Sequence, residues 1–166
     1  AWDIDGIENS KQGLDQHLQN WLAREFDNKN AKELLAVMNE YYRLAYIRKP
    51  EFMGNTRTEE KDPAYKIVTD LPWSEEEIRQ RLAEYKVIED KVKEISSSIS
   101  TEKRNAWFQL VEYPVCGAAE MNKKHLYAQL ARHGKESWEL SDVAYDEISS
   151  MTEQYSNMAN GKWRYM

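Results

Sequence analysis

The sequence predicts an all-α protein, a bundle of about five helices with one long irregular loop at about residues 49–73. Apolar side chains recur at helical spacing along five stretches, and a strong helix start stands at Ser74. The stretch 49–73 has no helical period and holds three of the four prolines. Because 166 residues can bury a substantial core, and no linker or repeat interrupts the chain, we predict a single helical-bundle domain over 1–166.

The first two helices are predicted at 14–26 and at about 31–48. Asn30 followed by Glu33 matches a capping box at the start of the second helix, and Pro50 pushes Lys49 out of helical geometry at its end. The predicted apolar stripes are Leu14, Leu18, Trp21, Leu22 and Phe26 on the first helix, and Leu34, Leu35, Met38, Tyr41, Tyr42 and Ala45 on the second.

The loop at 49–73 is long for a compact domain, with a short extended run predicted at 65–68. Loops beyond about 12–15 residues are uncommon and are usually functional or disordered. Both a functional loop and a plain excursion of the chain stay open at this point.

The third helix is predicted to start at a capping box in Ser74-Glu75-Glu76-Glu77 and to reach about Ser97. Its length makes it the expected spine of the fold. The apolar stripe of this helix consists of Ile78, Leu82, Tyr85, Val92, Ile95 and Ile99.

A fourth helical stretch is predicted from Ser100 or Thr101 to His133-Gly134. Pro114 lies inside it, so we expect a kink or a break near Tyr113, because proline removes one helical hydrogen bond and clashes with the preceding turn. The inward residues predicted here are Trp107, Phe108, Val111, Val115, Ala118, Ala119, Asn122, Leu126 and Leu130.

The last helix is predicted at 137–159, with Gly161 at a left-handed cap. Its expected inward residues are Trp138, Val143, Tyr145, Ile148, Met151, Tyr155 and Met158.

Composition narrows the possible functions. The 29 acidic and 23 basic residues give a formal charge of −6, and no basic cluster with interleaved aromatics suggests a nucleic-acid surface. The longest apolar run is only a few residues, which disfavours a membrane span. Cys116 is the only cysteine, so an internal disulfide is excluded and the compartment cannot be read from the chain.

Common catalytic and metal-binding motifs do not occur in the sequence. Glu-x-x-His pairs, a glycine-rich phosphate loop and a Gly-x-Ser-x-Gly elbow are absent. His17, His125 and His133 are dispersed, and we expect structural or surface roles for all three. Cys116 is expected to be a buried, unreactive thiol, since no neighbouring His or Lys would lower its pKa. No cofactor or metal is predicted, and a glycosidase acid pair cannot be chosen from spacing alone.

One stretch stands out, at 41–53. It closes a helix with aromatic and large apolar residues and then presents Arg48, Lys49, Pro50 and an acid. Arginine beside aromatic rings suits a carboxylate or a sugar face. Cations at a helix C-terminus also complement the helix dipole, so a purely structural interpretation stays open.

Three segments carry a family resemblance. They are the run from Tyr41-Tyr42-Arg43 to Arg48-Lys49-Pro50-Glu51, the run Gln109-Leu110-Val111-Glu112-Tyr113-Pro114-Val115, and Tyr155 and Asn157 followed by Asn160-Gly161-Lys162-Trp163-Arg164-Tyr165-Met166. In order and spacing they resemble the helical domain of glycoside hydrolase family 115. Members of that family are inverting xylan α-1,2-glucuronidases, which remove glucuronic acid or its 4-O-methyl ether from glucuronoxylan.

The resemblance implies an accessory helical domain between a barrel domain and a β-sandwich, which would be its partners, with glucuronoxylan bound through the parent enzyme. The catalytic acids lie in earlier domains of the family, so no catalytic residue is carried over to this chain. Arg48, Asn55 and Arg57 are the loop candidates for binding the acidic sugar. An extracytoplasmic location is implied by the family alone.

The ends of the chain fit that interpretation. Trp2, Trp163, Tyr165 and Met166 are large residues outside the periodic faces, so we expect them to have packed against neighbouring domains or to support a homodimer. The alternative from another functional class is a stand-alone helical module that binds protein or glycan. A natural reading frame that extends hundreds of residues upstream would favour the enzyme domain.

Overall fold

A computed structural model of the chain describes residues 10–26, 29–54 and 68–164. Within these ranges the chain is all-α, as predicted, and forms no strand. The α-helices are α1 Ser10–Glu25, α2 Ala31–Ile47, α3 Glu75–Ser96, α4 Arg104–Trp107, α5 Tyr113–Arg132 and α6 Glu139–Gly161. Short 3-10 turns occupy Pro50–Phe52 and Thr101–Lys103, and a π-helical segment occupies Phe108–Glu112. No helix in the described part of the chain is long and apolar enough to cross a membrane.

The core forms where α3 and α5 pack together, with α1 and α2 on one side and α6 on the other. Every residue of the predicted α3 stripe and every predicted inward residue of the fourth stretch is buried, which confirms both assignments. A second, smaller cluster joins the two ends of the loop to α3 and α5, and it consists of Met53, Leu71, Ile78, Leu82, Leu126 and Leu130.

The two predicted capping boxes have different outcomes. At α3 the Glu77 amide donates to Ser74 Oγ at 3.2 Å and the Ser74 amide donates to Glu77 Oε2 at 2.7 Å, which confirms the prediction. At α2 the prediction is wrong, because Asn30 makes no side-chain cap and instead donates from Nδ2 to Ser98 Oγ at 3.2 Å. A tertiary contact has replaced the local one.

The sequence predicts a kink or a break near Tyr113, whereas the structure has a π-helical segment at Phe108–Glu112, directly ahead of Pro114. Trp107, Phe108, Glu112 and Tyr113 keep right-handed helical dihedrals, so α4, the π segment and α5 form one continuous rod. A wider π turn fits ahead of Pro114 because the proline lacks an N–H and its ring needs room beside the preceding turn. The described part of the chain therefore has five helical rods, as predicted.

Some inward faces were assigned wrongly. On α6, Trp138, Val143 and Tyr145 are exposed, and the buried positions are Ser141 and Ala144. Ile148, Met151 and Tyr155 are half-buried and Met158 is buried, in agreement with the prediction.

Two further stripe residues prove to be exposed. Leu14 on α1 is 68% exposed and Tyr42 on α2 is 52% exposed, whereas both were expected to face the core. Leu44, outside the predicted stripe, is fully buried. The helices α1 and α2 thus cover each other less completely than their sequence pattern suggests.

The end of α6 matches the expected left-handed cap. Gly161 has φ +79°, and Ala159 and Asn160 before it also have positive φ. Trp163 is half-buried, with the Lys162 ammonium 4.7 Å from its ring centroid. Trp2, Tyr165 and Met166 lie outside the described residues, as does most of the extended run expected at 65–68.

We predict opposite effects of two glycine-to-alanine changes. A Cβ at Gly54 would lie 2.8 Å from His125 Cε1, so Gly54→Ala should destabilise the fold by about 1–3 kcal/mol. Gly117 lies within α5 with nothing within 4 Å of an added Cβ, so Gly117→Ala should be neutral or stabilise by up to about 1 kcal/mol. Thermal unfolding of both variants measures the difference.

His125→Ala provides the control for this pair. In the His125→Ala background most of the cost of Gly54→Ala should disappear, because the clashing ring is gone. An unchanged cost in that background would show that His125 is not its cause.

Candidate functional site

The stretch at 48–54 forms a tight turn directly after α2. Arg48 is extended at the helix end, Lys49 is extended as well, and the 3-10 turn Pro50–Phe52 follows. This agrees with the expected effect of Pro50 on Lys49. Met53 and Gly54 are then buried, so the chain enters the loop from a fixed point.

The Arg48 guanidinium closes this turn. Its Nε and Nη2 donate to the Phe52 carbonyl oxygen at 3.1 and 2.5 Å. The side chain is half-buried and remains a cation beside the start of the loop. Of the three predicted sugar-binding residues, Arg48 is thus described in a structural contact, while Asn55 and Arg57 lie outside the described residues.

A buried arginine on α3 also holds this turn in place. Arg81 is only 5% exposed, and its Nη2 donates to the carbonyl oxygens of Leu44 at 3.2 Å and Arg48 at 2.9 Å. Its Nε donates to Asn122 Oδ1 at 2.7 Å. Burial lowers the pKa of Arg81. The carbonyl acceptors and the Asn122 amide oxygen offset part of that penalty, because they place negative dipole ends against the guanidinium.

Two aromatic rings complete the Arg81 environment. The guanidinium carbon lies 5.1 Å from the ring centroids of both Trp73 and Tyr85, which is the range of a cation–π contact. Trp73 immediately precedes Ser74, the cap of α3. Arg81 therefore links the end of the loop to the end of α2.

The chain returning from the loop is held on α5. The Gln129 side chain donates to Leu71 O and accepts from Leu71 N, both at 2.9 Å, so one amide group satisfies a whole peptide unit. Asp70 pairs with Arg132 and with His133 Nε2. These paired groups fix the chain just before Pro72.

The three histidines are placed apart from one another. His17 is exposed on α1, and His133 is exposed in its pair with Asp70. His125 is half-buried against Gly54, and burial lowers its pKa to about 4, with the positive charges of Lys124 and Arg132 adding to the effect. The His125 ring is consequently neutral near neutral pH.

A shallow groove of about 310 Å³ adjoins the turn. Tyr41, Pro50 and Glu51 line it together with the first turns of α5 and part of α6. Its surface is mainly apolar, and Gly117 leaves the space above α5 open. The groove lies beside the turn that holds Arg48, the described member of the predicted sugar-binding residues.

A buried ionic cluster joins α3 to α5. The Lys123 ammonium donates to Glu89 Oε2 and to Glu120 Oε1, each at 2.6 Å, and Lys93 donates to Glu89 Oε1. Glu89 and Glu120 are both buried. These two carboxylates resemble the acid pair of a glycosidase only in composition, since both are packed inside the bundle and neither lines the groove beside Tyr41.

The two carboxyl groups of this cluster have opposite pKa shifts. Burial opposes ionisation of Glu89, but the hydrogen bonds from Lys123 and Lys93 outweigh it and lower its pKa. Burial raises the pKa of Glu120, which has a single ammonium partner and the negative charge of Glu89 nearby. Glu89 is therefore the more acidic member of the pair.

Cys116 is buried on α5, as predicted. Burial raises the pKa of its thiol to about 12, and the charge of Glu89 contributes in the same direction. The thiol is therefore protonated and unreactive at neutral pH. Among the described residues no group of His, Cys, Asp and Glu side chains could hold a metal ion.

Sequence reasoning missed the Arg81 and Gln129 anchors. Asn122 had been placed on the buried stripe of the fourth stretch, and a polar residue at such a position indicates a buried hydrogen-bonding partner. Arg81 lies three residues after Ile78 and four before Tyr85, on the buried face of α3, and this spacing is the signal that could have found it.

Known proteins of one family match this chain. The sequence model of glycosyl hydrolase family 115 matches residues 1–52. The solved structure of a family GH115 4-O-methyl-alpha-glucuronidase, BtGH115A, described as having specificity for decorated arabinogalactans, superposes with a TM-score of 0.88 and 53% identity. The match covers 98% of this chain and 21% of that protein, so this chain spans about a fifth of its length. No curated protein sequence matches the chain.

Glu89 and Glu120 should both make the stability of the fold depend on pH, but in opposite directions. A lowered pKa makes Glu89 stabilising above the unfolded value of about 4.3, and this contribution is lost as the pH falls through its folded pKa. Glu89→Gln should therefore cost about 1–3 kcal/mol near neutral pH, with a deficit that shrinks in acid.

Glu120→Gln is the matched control. A raised pKa favours the folded state only while Glu120 is protonated, and this contribution is lost as the pH rises through the folded pKa. The glutamine variant should therefore be as stable as the unchanged chain near neutral pH, or more stable. Chemical denaturation across the acidic and neutral range measures the stability of both variants. Equal losses for the two would contradict the opposite pKa shifts of Glu89 and Glu120.

Proposed function

We propose, because the chain belongs to glycosyl hydrolase family 115, that it is the helical domain of an enzyme that removes glucuronic acid or 4-O-methylglucuronic acid from a polysaccharide. The observation that carries the proposal is the 53% identity with a 4-O-methyl-alpha-glucuronidase over 98% of this chain. Identity at that level along almost the whole chain supports a shared role for the domain as well as a shared fold.

Two different polysaccharides are candidates for the substrate. The family resemblance in the sequence pointed to glucuronoxylan, whereas the name of the solved relative specifies decorated arabinogalactans. The sugar released, a glucuronic acid or its 4-O-methyl ether, is common to both. We therefore assign the uronic acid and leave the choice between the two polymers to experiment. Action on such polymers supports an extracytoplasmic location for the enzyme.

Within that enzyme the domain has an accessory role. The carboxylates Glu89 and Glu120 are buried and bound to lysines, which suits packing and not proton transfer to a polysaccharide. The domain instead holds both ends of its long loop, through Arg81 on one side and Gln129 on the other. The catalytic acids belong to the neighbouring domains, and Arg48, Asn55 and Arg57 are the loop residues that contact the uronate.

A stand-alone interaction module is the second candidate. The exposed aromatic residues Tyr42, Tyr46, Trp138 and Tyr145 favour it. It would require that the natural protein end near the limits of this chain, and the length of the natural reading frame separates the two candidates.

The 166-residue chain alone should release no glucuronic acid from aldouronic acids, glucuronoxylan or arabinogalactan, while the longer natural protein should release it from at least one of them. Product analysis of both proteins against a buffer blank is the measurement. Release by the chain alone that disappears when one of its own acids is changed would refute the accessory role. No release by the longer protein would refute the proposed activity itself.

The loop residues are tested in the longer protein. Arg48→Ala, Asn55→Ala and Arg57→Ala should each lower kcat/KM for a uronate substrate by about ten- to hundredfold, as expected for loss of a charged or polar contact. Thermal unfolding measured in parallel separates binding from folding, which is essential for Arg48 because it also bonds to Phe52 O.

Arg104 supplies the control for Arg48. Its guanidinium also donates to backbone carbonyls, those of Ser96 at 2.6 Å and Ile99 at 3.0 Å, but it lies at the other end of the bundle core. Arg104→Ala should lower the melting temperature and leave KM unchanged. Unchanged kinetics for all three loop variants would show that these residues do not contribute to substrate binding.

A further inference from the structure

Three large apolar side chains lie open to solvent around the end of α2. Tyr46 is 94% exposed, Ile47 55% and Phe52 52%, and together they form the outer face of the turn. Single exposed apolar residues are ordinary on a protein surface, but a concentration of large ones marks a surface that another molecule or domain covers. Arg48 lies between Ile47 and Phe52 in the sequence and bonds to the Phe52 carbonyl oxygen.

The ring of Tyr46 is hardly covered by the described part of the chain. At 94% exposure, almost none of the ring touches the bundle. The exposed Tyr145 on α6 differs, because the Lys124 ammonium lies 5.1 Å from the centroid of its ring. A cation at this distance gives Tyr145 a partner within the bundle. The outer face of the turn is therefore the stronger candidate for an interface.

The backbone that carries the outer face is fixed from inside the bundle. Arg81 Nη2 donates to the carbonyl oxygens of Leu44 and Arg48. Met53, which follows Phe52, is 1% exposed and packs in the smaller core cluster. Phe52 is thus held between the bond from Arg48 and the buried Met53. A surface whose backbone is already fixed loses little conformational entropy when it docks.

The length of the solved relative indicates what covers the outer face. This chain matches 21% of that protein at 53% identity, so about four-fifths of the relative lies outside the matched domain. Domains joined in one chain meet at effective concentrations that reach the millimolar range, so a tethered neighbour occupies an apolar surface before a free protein does. A second copy of this chain would bring another formal charge of −6, and like-charge repulsion disfavours that pairing.

We propose that the outer face of the turn docks on the neighbouring domain that binds the uronate, and thereby places Arg48 at the sugar. The proposal rests on the proposed function, in which Arg48 contacts the uronate. Since Ile47 and Phe52 flank Arg48, a domain that brings its uronate to Arg48 also meets the apolar residues on both sides. Lys49 and Glu51 are exposed at the same turn and supply a polar rim. The three residues of the outer face act as positioning residues and touch no sugar themselves.

The first test measures hydroxyl-radical oxidation of the longer natural protein, because aromatic rings are oxidised according to their solvent exposure. A ring that stays 94% exposed should react almost as fast in the native protein as in the unfolded protein. A covered Tyr46 should react about five- to tenfold more slowly in the native protein, because the core of an interface is desolvated. Peptide mass spectrometry measures both rates. The protection should persist on dilution, because the occupant belongs to the same chain.

Kinetics provide the second test, again in the longer protein. Tyr46→Ser should lower kcat/KM for a uronate substrate about five- to thirtyfold, as expected for a tyrosine at the centre of an interface. Tyr46→Phe, which keeps the ring, should retain most of the activity. In the Arg48→Ala background Tyr46→Ser should have little further effect, because it acts through Arg48. Tyr145→Ser is the matched control, since Tyr145 is also an exposed tyrosine on a helix but lies on α6, and it should leave kcat/KM unchanged.

Three results would overturn the proposal. These are a native oxidation rate of Tyr46 equal to its unfolded rate, protection that disappears on dilution and so belongs to a second copy, and equal kcat/KM for Tyr46→Ser and Tyr145→Ser. A full additional loss from Tyr46→Ser in the Arg48→Ala background would overturn the positioning role. A longer protein that hydrolyses no uronate substrate but still protects Tyr46 would refute the proposed function and support the contact between domains.

Discussion

The arrangement of the bundle depends on one buried cation, Arg81. Its guanidinium holds the last turn of α2 through the Leu44 and Arg48 carbonyls and reaches α5 through Asn122. Leu44 O also accepts from the Arg48 amide at 3.2 Å, so Arg81 adds a second donor there. A cation from a neighbouring helix is favoured at this position because the carbonyl end of a helix carries the negative end of the dipole. The position of the Arg48 turn therefore depends on α3, and only indirectly on the sequence of the turn itself.

A buried charge of this kind is stabilising only while all of its partners are present. Burial works against the protonated Arg81, and the opposing interactions come from several weak sources: carbonyl oxygens, one amide oxygen and two aromatic faces. The cost of an unpaired buried cation makes the alternative packings of α2 on α3 unfavourable, since they would leave Arg81 without acceptors. Arg81 therefore serves mainly to specify how α2 packs on α3, and it adds little net stability.

The sequence predicted most of the buried residues of the core, and it was less successful in separating them from exposed apolar residues. Every residue of the predicted stripes on α3 and α5 is buried because these helices lie in the centre of the bundle. Their buried faces also hold Ile88 and polar residues such as Arg81 and Gln129, which the stripes did not include. The capping role predicted for Asn30 was wrong since its amide found Ser98, a partner 68 positions away that no local pattern reveals. Of the candidate site, the extended backbone at Lys49 could be predicted from Pro50. The bond from Arg48 to Phe52 O could not, because it depends on a turn whose geometry Pro50 and Arg81 set together.

The misassigned face of α6 shows how packing distance decides between two apolar stripes. Large residues such as Trp138 and Tyr145 carry more hydrophobic surface, but Ser141 and Ala144 allow α6 to lie close to α5, where Ser141 Oγ donates to the Lys124 carbonyl at 2.8 Å. Close approach gains dispersion contacts along the whole helix, and bulky side chains between the two helices would have forced them apart. The larger residues are left outside, where Lys124 covers the Tyr145 ring at 5.1 Å. Periodicity thus identifies the candidate faces of a helix, and the smallest side chains select the one that packs.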